Sequence, residues 1–331
     1  MAVVANTFQT TSAKGNREQL SDVVSRITPE DTPIYSLIGK GKTTSVHPEW
    51  EVDDLAPPGA NVQLEGDEFT FGAVTPPARV GNYTQILRKE FILSETQEAV
   101  DNAGKVEKRK YQKLKKGIEI RKDVEYSIVS NVASVAGATR VSGGLPSWLV
   151  TNVSRGATGA NGGFSSGTGL TVAATNGTQR AFTKALLDTV MSQAYTSGAN
   201  VRHLVVAPYV KSVFVSFMSD PSVATFRYSV DSESGRRTII SNADVYEGPY
   251  GKVLVHPNRV MAVNAGVARN AFLIDSDMLE WDWLRKIQEV KNIAKTGDAE
   301  KCVLIGEGTL KVKNEKGLGV VADVFGLTAS T

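Results

Sequence analysis

The stretch from residue 54 to about residue 90 constrains this chain more than any other. It holds Pro57-Pro58-Gly59, the acidic Glu65-Gly66-Asp67-Glu68 and Pro76-Pro77, flanked by β-prone pieces at 69–74 and 79–87. Proline fixes φ and removes an amide donor, so this composition suits neither a helix interior nor a central strand. It reads as a long two-stranded ribbon. Each arm of about 16 residues would reach roughly 50 Å at about 3.3 Å per residue. A compact body of 331 residues has a radius of gyration of only about 20 Å. A ribbon of that reach cannot fold back into one core and is expected to lie on a neighbouring subunit.

The rest of the chain supplies the body that carries such a ribbon. Residues 1–15 are small and polar, an arm that needs a partner to become ordered. Leu20, Val23, Val24 and Ile27 predict a short helix over 16–27. Prolines 29 and 33 end it, and a second apolar piece follows at 34–38. Residues 45–53 read as extended, with Val46, Trp50 and Val52 on one face. Ser94-Glu95-Thr96-Gln97 fits a capping box, opening a helix to about residue 135 that is interrupted by Gly104 and Gly117. Unbroken, about 40 residues would span roughly 60 Å.

Residues 137–178 are rich in Gly, Ser, Thr and Asn and read as a surface loop or insertion. Leu186, Leu187, Val190, Met191 and Ala194 then predict a helix ending near Gly198. A strand at 201–207 and a helix at 208–218 follow, which together suggest a small α/β domain. Strands are expected at 238–245, 253–255, 260–263, 271–274, 279–284, 287–293, 301–305 and 318–325.

Charge and cysteine usage narrow the classes. A net charge of +2 is too small a bias to argue nucleic-acid binding by itself. The single cysteine, Cys302, allows no internal disulfide, which fits a reducing compartment such as bacterial cytoplasm. The first residues lack the basic and apolar regions of a signal peptide. No run of residues is apolar enough for a membrane span.

Catalytic motifs are weak. Gly41-Lys42-Thr43 resembles the end of a P-loop, but that loop needs a glycine where Ser36 stands and a strand before it. The glycines at 156, 159, 162 and 163 follow no apolar strand and do not make a dinucleotide fingerprint. His47, His203 and His256 have no metal-ligand spacing, and Cys302 in an apolar strand reads as a small buried residue. Neither catalytic residues, a metal site nor a cofactor is expected. Between Lys105 and Lys122 stand nine Lys/Arg against two Glu. Three readings stay open: a surface facing DNA, a solvated face balanced by pairs such as Arg121 with Glu125, or contact with an acidic patch such as 65–68 on a neighbour.

Several blocks, taken in order, resemble one family. They are Gly15-Asn16-Arg17-Glu18-Gln19-Leu20-Ser21-Asp22, Ile27-Thr28-Pro29-Glu30-Asp31-Thr32-Pro33, Ile38-Gly39-Lys40-Gly41-Lys42 and Glu49-Trp50. Arg79-Val80-Gly81-Asn82-Tyr83-Thr84-Gln85-Ile86, Gly144-Leu145-Pro146-Ser147-Trp148-Leu149, Ala243-Asp244-Val245-Tyr246 and 294–301 continue the series. The chain is similar in these blocks to the major head proteins of tailed bacteriophages. The resemblance implies an α+β chain of the Hong Kong 97-type capsid fold. Its parts would be an N-terminal arm at 1–53, an extended loop at 54–93, a peripheral domain with a spine helix at 94–149 and a Gly-rich insertion at 150–179. An axial domain at 180–268 and a return to peripheral strands at 269–331 would complete it.

The resemblance also implies a non-enzymatic subunit that forms hexamers and pentamers of an icosahedral virion shell, assembled in the host bacterial cytoplasm. Scaffold, portal and decoration proteins, and packaged double-stranded DNA held without sequence specificity, would be its partners; a membrane would not. The candidate intersubunit contacts are Glu65, Asp67, Glu68, Phe69, Phe71, Arg79, Tyr83, Arg88, Lys113 and Lys116. The rival readings are an encapsulin-type compartment of the same fold, a nucleotide-binding enzyme built around Lys42, and a non-assembling tail protein.

Overall fold

The computed structural model describes residues 27–69, 71–100, 108–216, 228–230, 237–239, 244–295 and 297–326. Two sheets organise them. The larger has six strands in the order Val245–Gly248, Gly251–Pro257, His203–Val206, Ala271–Ile274, Leu318–Val321 and Val153–Ser154. Its central strands are near-continuous apolar runs, as a sheet covered on both faces requires: Leu204, Val205, Val206, Phe272, Leu273, Ile274 and Val320 are all buried. The strand at Gly251–Pro257 runs parallel to His203–Val206, and Ala271–Ile274 runs antiparallel to both His203–Val206 and Leu318–Val321.

Helix Lys184–Thr196 covers this sheet with Leu187, Val190, Met191 and Ala194, an apolar stripe spaced at three, one and three residues. The helix stops at Gly198, whose φ of +86° and following Ala199 N–H to Ala194 carbonyl bond of 2.9 Å close the last turn. Helix Pro208–Val215 starts on the proline favoured at a first helical position.

The second sheet has four strands in the order Gly39–Lys42, Leu279–Glu289, Ala299–Val312 and Gln85–Ser94. The 279–289 and 299–312 strands form a long antiparallel hairpin, with register shifts between Trp283 and Arg285 and between Arg285 and Gln288. Along Gln85–Ser94 exposure alternates: Ile86, Arg88, Glu90, Ile92 and Ser94 face water, while the opposite face packs against helix Lys108–Val129. That helix buries Ile120, Val124, Ile128 and Val129 and also packs against the short helix Pro33–Leu37.

Several expectations are corrected. The helix expected over 94–135 is described as Glu95–Ala99 and Lys108–Val129. Extended backbone at Val100, four residues before Gly104, ends the first piece. The second, of 22 residues, spans about 33 Å at 1.5 Å per residue. Ser94 stands at the N-cap, yet its side chain makes no capping bond.

The stretch 260–263 is a 3₁₀ turn at Met261–Val263, not a strand. Strand structure ends at Glu289 instead of continuing to 293, where Asn292 turns at φ +61°. The 269–331 region does not return wholly to one sheet: Ala271–Ile274 and Leu318–Val321 belong to the six-stranded sheet.

The Gly-rich 137–178 region is not a surface loop. Leu145, Trp148 and Leu149 are buried, and the hairpin Gly163–Ser165 with Leu170–Val172 packs Phe164 on Trp148. Gly144 is required there, because a Cβ would lie 1.9 Å from the Ser130 carbonyl oxygen. The helix expected at 16–27 and the arm at 1–15 lie outside the described residues, apart from Ile27.

Candidate intersubunit surfaces

The ribbon is paired only at its base. Strands Glu49–Val52 and Ala78–Gly81 run antiparallel, from Glu49 opposite Gly81 to Val52 opposite Ala78. Trp50 anchors this base. Its indole N–H donates to the Val312 carbonyl at 2.9 Å, and its ring stacks on Trp148 with centroids 5.6 Å apart. Arg79 pairs with Glu49 on the same hairpin, and Lys316 holds Asp54 at 2.6 Å.

From Asp53 to Pro77 the described residues form no strand, which corrects the expected pairing along the whole ribbon. The prolines and the absence of a partner strand account for this. Leu55, Val62, Leu64, Phe69, Phe71 and Val74 are all exposed, Phe69 at 87% and Phe71 at 95%. Burying one such side chain is worth roughly 1.5–3 kcal/mol, so leaving six in water forgoes on the order of 10 kcal/mol. Glu65, Asp67 and Glu68 stand exposed among them, beside a turn at Gly66 with φ +84°.

The other candidate contacts are engaged within the chain. Tyr83 is not free: its ring stacks on His47 with centroids 4.1 Å apart. Arg88 pairs with Glu90 at 3.4 Å on the open face of the four-stranded sheet. On the basic helix, Lys113 pairs with Glu289, and Lys116 with Glu119 at 2.9 Å. Arg109 reaches both Glu289 and Glu300. The hydrogen bond from Lys113 leads the causes that hold Glu289 below the usual carboxylate value. Much of the basic run is therefore neutralised by the chain's own acids; Lys115, Arg121 and Lys122 have no acidic partner among the described residues.

The expected Arg121–Glu125 pair does not form, because Glu125 points inward. It is fully buried and accepts from the Ile34 N–H at 3.0 Å, the Tyr35 N–H at 2.7 Å and the Asn258 side-chain amide at 2.6 Å. One carboxylate thus joins the long helix, the 33–37 helix and the 258–260 turn. Burial pushes its pKa up, and the three donors offset that only in part.

A second buried acid was equally hidden in the sequence. Glu307 accepts from Thr84 Oγ1 at 2.9 Å, Arg140 Nη2 at 2.8 Å and Arg285 Nη2 at 2.8 Å. Burial acts to raise it, but the bonds from Thr84, Arg285 and Arg140 outweigh that and hold it below the ordinary value.

The structure also brings together two histidines that stand far apart in sequence. His203 Nδ1 and His256 Nε2 are 3.1 Å apart on neighbouring parallel strands. Burial lowers both pKa values. No group of three or more His, Cys, Asp or Glu suited to a metal occurs among the described residues. Gly39–Lys42 is a β-strand paired with Leu279–Glu289, so its amides are not gathered into a phosphate cradle. Cys302 is buried, as its apolar strand suggested. No described helix is long and apolar enough to cross a membrane.

Comparison with known proteins follows the same lines. The family model for the SU10 major capsid protein matches residues 4–325. A curated major capsid protein of Escherichia phage Phieco32 is 33% identical over 127 residues, which cover 38% of this chain and 36% of that relative's length. Among solved structures, the capsid of a native GTA particle aligns over 97% of this chain and 100% of its own at 11% identity, with a TM-score of 0.62. A chain from Mycobacterium phage Bobi covers 94% and 96% at 12% identity and TM-score 0.59. The SrpI encapsulin of Synechococcus elongatus PCC 7942 covers 98% and 99% at 10% identity and TM-score 0.56.

Proposed function

The chain belongs to the SU10 major capsid protein family, and from that premise we propose that it tiles a closed icosahedral shell as hexamers and pentamers around double-stranded DNA. The observation that carries this reading is the segment from Asp53 to Pro77. It is anchored through Trp50 yet leaves six large apolar side chains and three acids in water. A neighbouring subunit that covers Phe69 and Phe71 recovers the hydrophobic free energy the monomer forgoes. Glu65, Asp67 and Glu68 then meet basic residues of that neighbour, for which Lys115, Arg121 and Lys122 have charge to spare. Arg79, Arg88, Lys113 and Lys116 already hold acids within the chain; they act at the interface by exchanging those partners, and Tyr83 acts through the His47 stack.

In this assignment the four-stranded sheet and the 108–129 helix are the peripheral domain. The six-stranded sheet with its two helices is the axial domain. The subunit assembles in the host cytoplasm with scaffold, portal and decoration proteins, and its role is structural, without catalysis.

Negative-stain microscopy of the purified chain, paired with light scattering, tests the reading. Closed shells or rings of five and six are expected. A chain that stays monomeric even when co-expressed with its scaffold would contradict it. The encapsulin-like alternative rests on the shared fold; a co-purified enzyme cargo in place of DNA would favour it.

A further inference from the structure

The strand Gln85–Ser94 stands at one edge of the four-stranded sheet. All ten of its residues pair one to one with the 299–312 strand, from Ser94 opposite Ala299 to Gln85 opposite Gly308, without a register shift. Among the described residues no strand lies on its other side. In an antiparallel ladder every second residue turns its N–H and C=O away from the partner. The free side of this strand therefore carries a straight row of backbone donors and acceptors, which is a template for a further strand. Prolines and bulges are two of the devices that block such pairing, and this strand has neither.

Its side chains say which strand fits. Ile86, Arg88, Glu90 and Ile92 stand exposed on the open face, Ile86 at 52% and Ile92 at 63%. The order is apolar, cation, anion, apolar, so it is its own complement when reversed. In two copies laid antiparallel about a two-fold axis through residue 89, Ile86 of each copy faces Ile92 of the other and Arg88 of each faces Glu90 of the other. Opposite-charge and apolar cross-strand pairs stabilise a sheet, and like charges opposite each other destabilise it. An axis through residue 88 would set Arg88 against itself, and one through residue 90 would set Glu90 against itself.

Charge is accommodated on both faces. Arg88 and Glu90 already lie 3.4 Å apart in one chain, each 61% exposed; across the axis each carboxylate gains a second guanidinium. On the helix-covered face the two copies of Lys89 would meet, but Asp123 of the same chain holds each at 2.8 Å.

We propose that two copies of this chain join edge to edge through Gln85–Ser94, in an antiparallel contact with its two-fold axis at Lys89 that merges two four-stranded sheets into one. A two-fold contact is isologous, whereas rings of five or six close through heterologous contacts. It therefore links one ring to the next. That placement rests on the shell proposed above; the pairing itself does not.

Charge exchange tests the contact. Arg88→Glu sets four acids together at the axis, and light scattering with microscopy should find rings of five and six in place of closed shells. Arg88→Glu/Glu90→Arg restores every opposite pair and should restore the shells. Normal shells from Arg88→Glu, or no recovery in the exchanged variant, overturn the proposal. Loss of rings as well as shells in Arg88→Glu overturns the placement between rings. Cysteines test the register. Ile86→Cys/Ile92→Cys brings two cysteine pairs within disulfide reach and should give covalent dimers on mild oxidation, while Ile86→Cys alone should not; the native Cys302 is buried. If the unmodified chain forms neither rings nor shells, the shell reading fails by itself and the cysteine result still decides the pairing: dimers from the double variant uphold it, and their absence overturns it.

Discussion

Replacing Glu125 by alanine should be among the most damaging single changes in the described chain. Three donors lose their acceptor at once: the Ile34 and Tyr35 main-chain N–H groups and the Asn258 side-chain amide, now bonded at 3.0, 2.7 and 2.6 Å. An unsatisfied buried donor costs about 1–3 kcal/mol. Water can reach the part-buried Tyr35 amide, so the sum is about 3–5 kcal/mol, a large share of the roughly 5–15 kcal/mol that typically holds a domain folded.

Urea unfolding of the unassembled chain measures the loss, and hydrogen exchange at the Ile34 and Tyr35 amides localises it. Glu125→Gln keeps one acceptor oxygen and should lose about half as much. The buried acid also carries a pH signature. Its folded pKa lies above the ordinary 4.5, so the folded state binds its proton more tightly than the unfolded state. Stability from this group therefore declines as pH rises from 4.5 towards the folded value, and that slope should vanish in Glu125→Gln. A loss under about 1 kcal/mol in Glu125→Ala, or unchanged exchange at residues 34 and 35, would refute this reasoning.

Other expectations follow from the same geometry. Both rings of the His203–His256 pair titrate below their ordinary 6.5, so stability should fall as pH drops below 6.5; the double variant His203→Asn/His256→Asn should flatten that decline in a melting series. Glu307→Gln should cost about 2 kcal/mol by urea midpoint, below the usual cost of breaking a buried pair because half-exposed Arg285 regains water. Gly144→Ala forces a Cβ to 1.9 Å from the Ser130 carbonyl and should destabilise by at least about 2 kcal/mol on the same measurement.

What the sequence revealed and what it hid divide along physical lines. Local signals were legible. The 3.6-residue stripe at Leu187, Val190, Met191 and Ala194 marks a helix, and the unbroken apolar runs at 203–206 and 271–274 mark central strands. The proline-rich 54–77 stretch was legible as a segment outside the core, its large apolar side chains exposed among the described residues, but its lack of strand pairing was not.

Partnership across long sequence separations was not. Glu125 reads as a helix-surface acid next to Arg121, and only the arrival of the 33–37 backbone 90 residues away turns it inward. Glu307 meets Thr84 across 223 residues, and His203 meets His256 across a strand register. The Gly-rich 150–179 region misled because glycine there permits close packing, not looseness: Gly162 stands where a Cβ would lie 2.7 Å from two carbonyl oxygens. Among the candidate contacts, Phe69 and Phe71 stand exposed in the single chain. Tyr83, Lys113 and Lys116 have partners in their own chain that no sequence spacing announced.

The central claim is that the projecting segment closes the shell, and removing residues 57–77 tests it most directly. The cut leaves the base strands Glu49–Val52 and Ala78–Gly81 and the Trp50 anchor in place. Mass by light scattering, with microscopy of the same samples, should find closed shells for the full chain and only folded monomers or single capsomers for the shortened one. Closed shells of normal size from the shortened chain would contradict the claim.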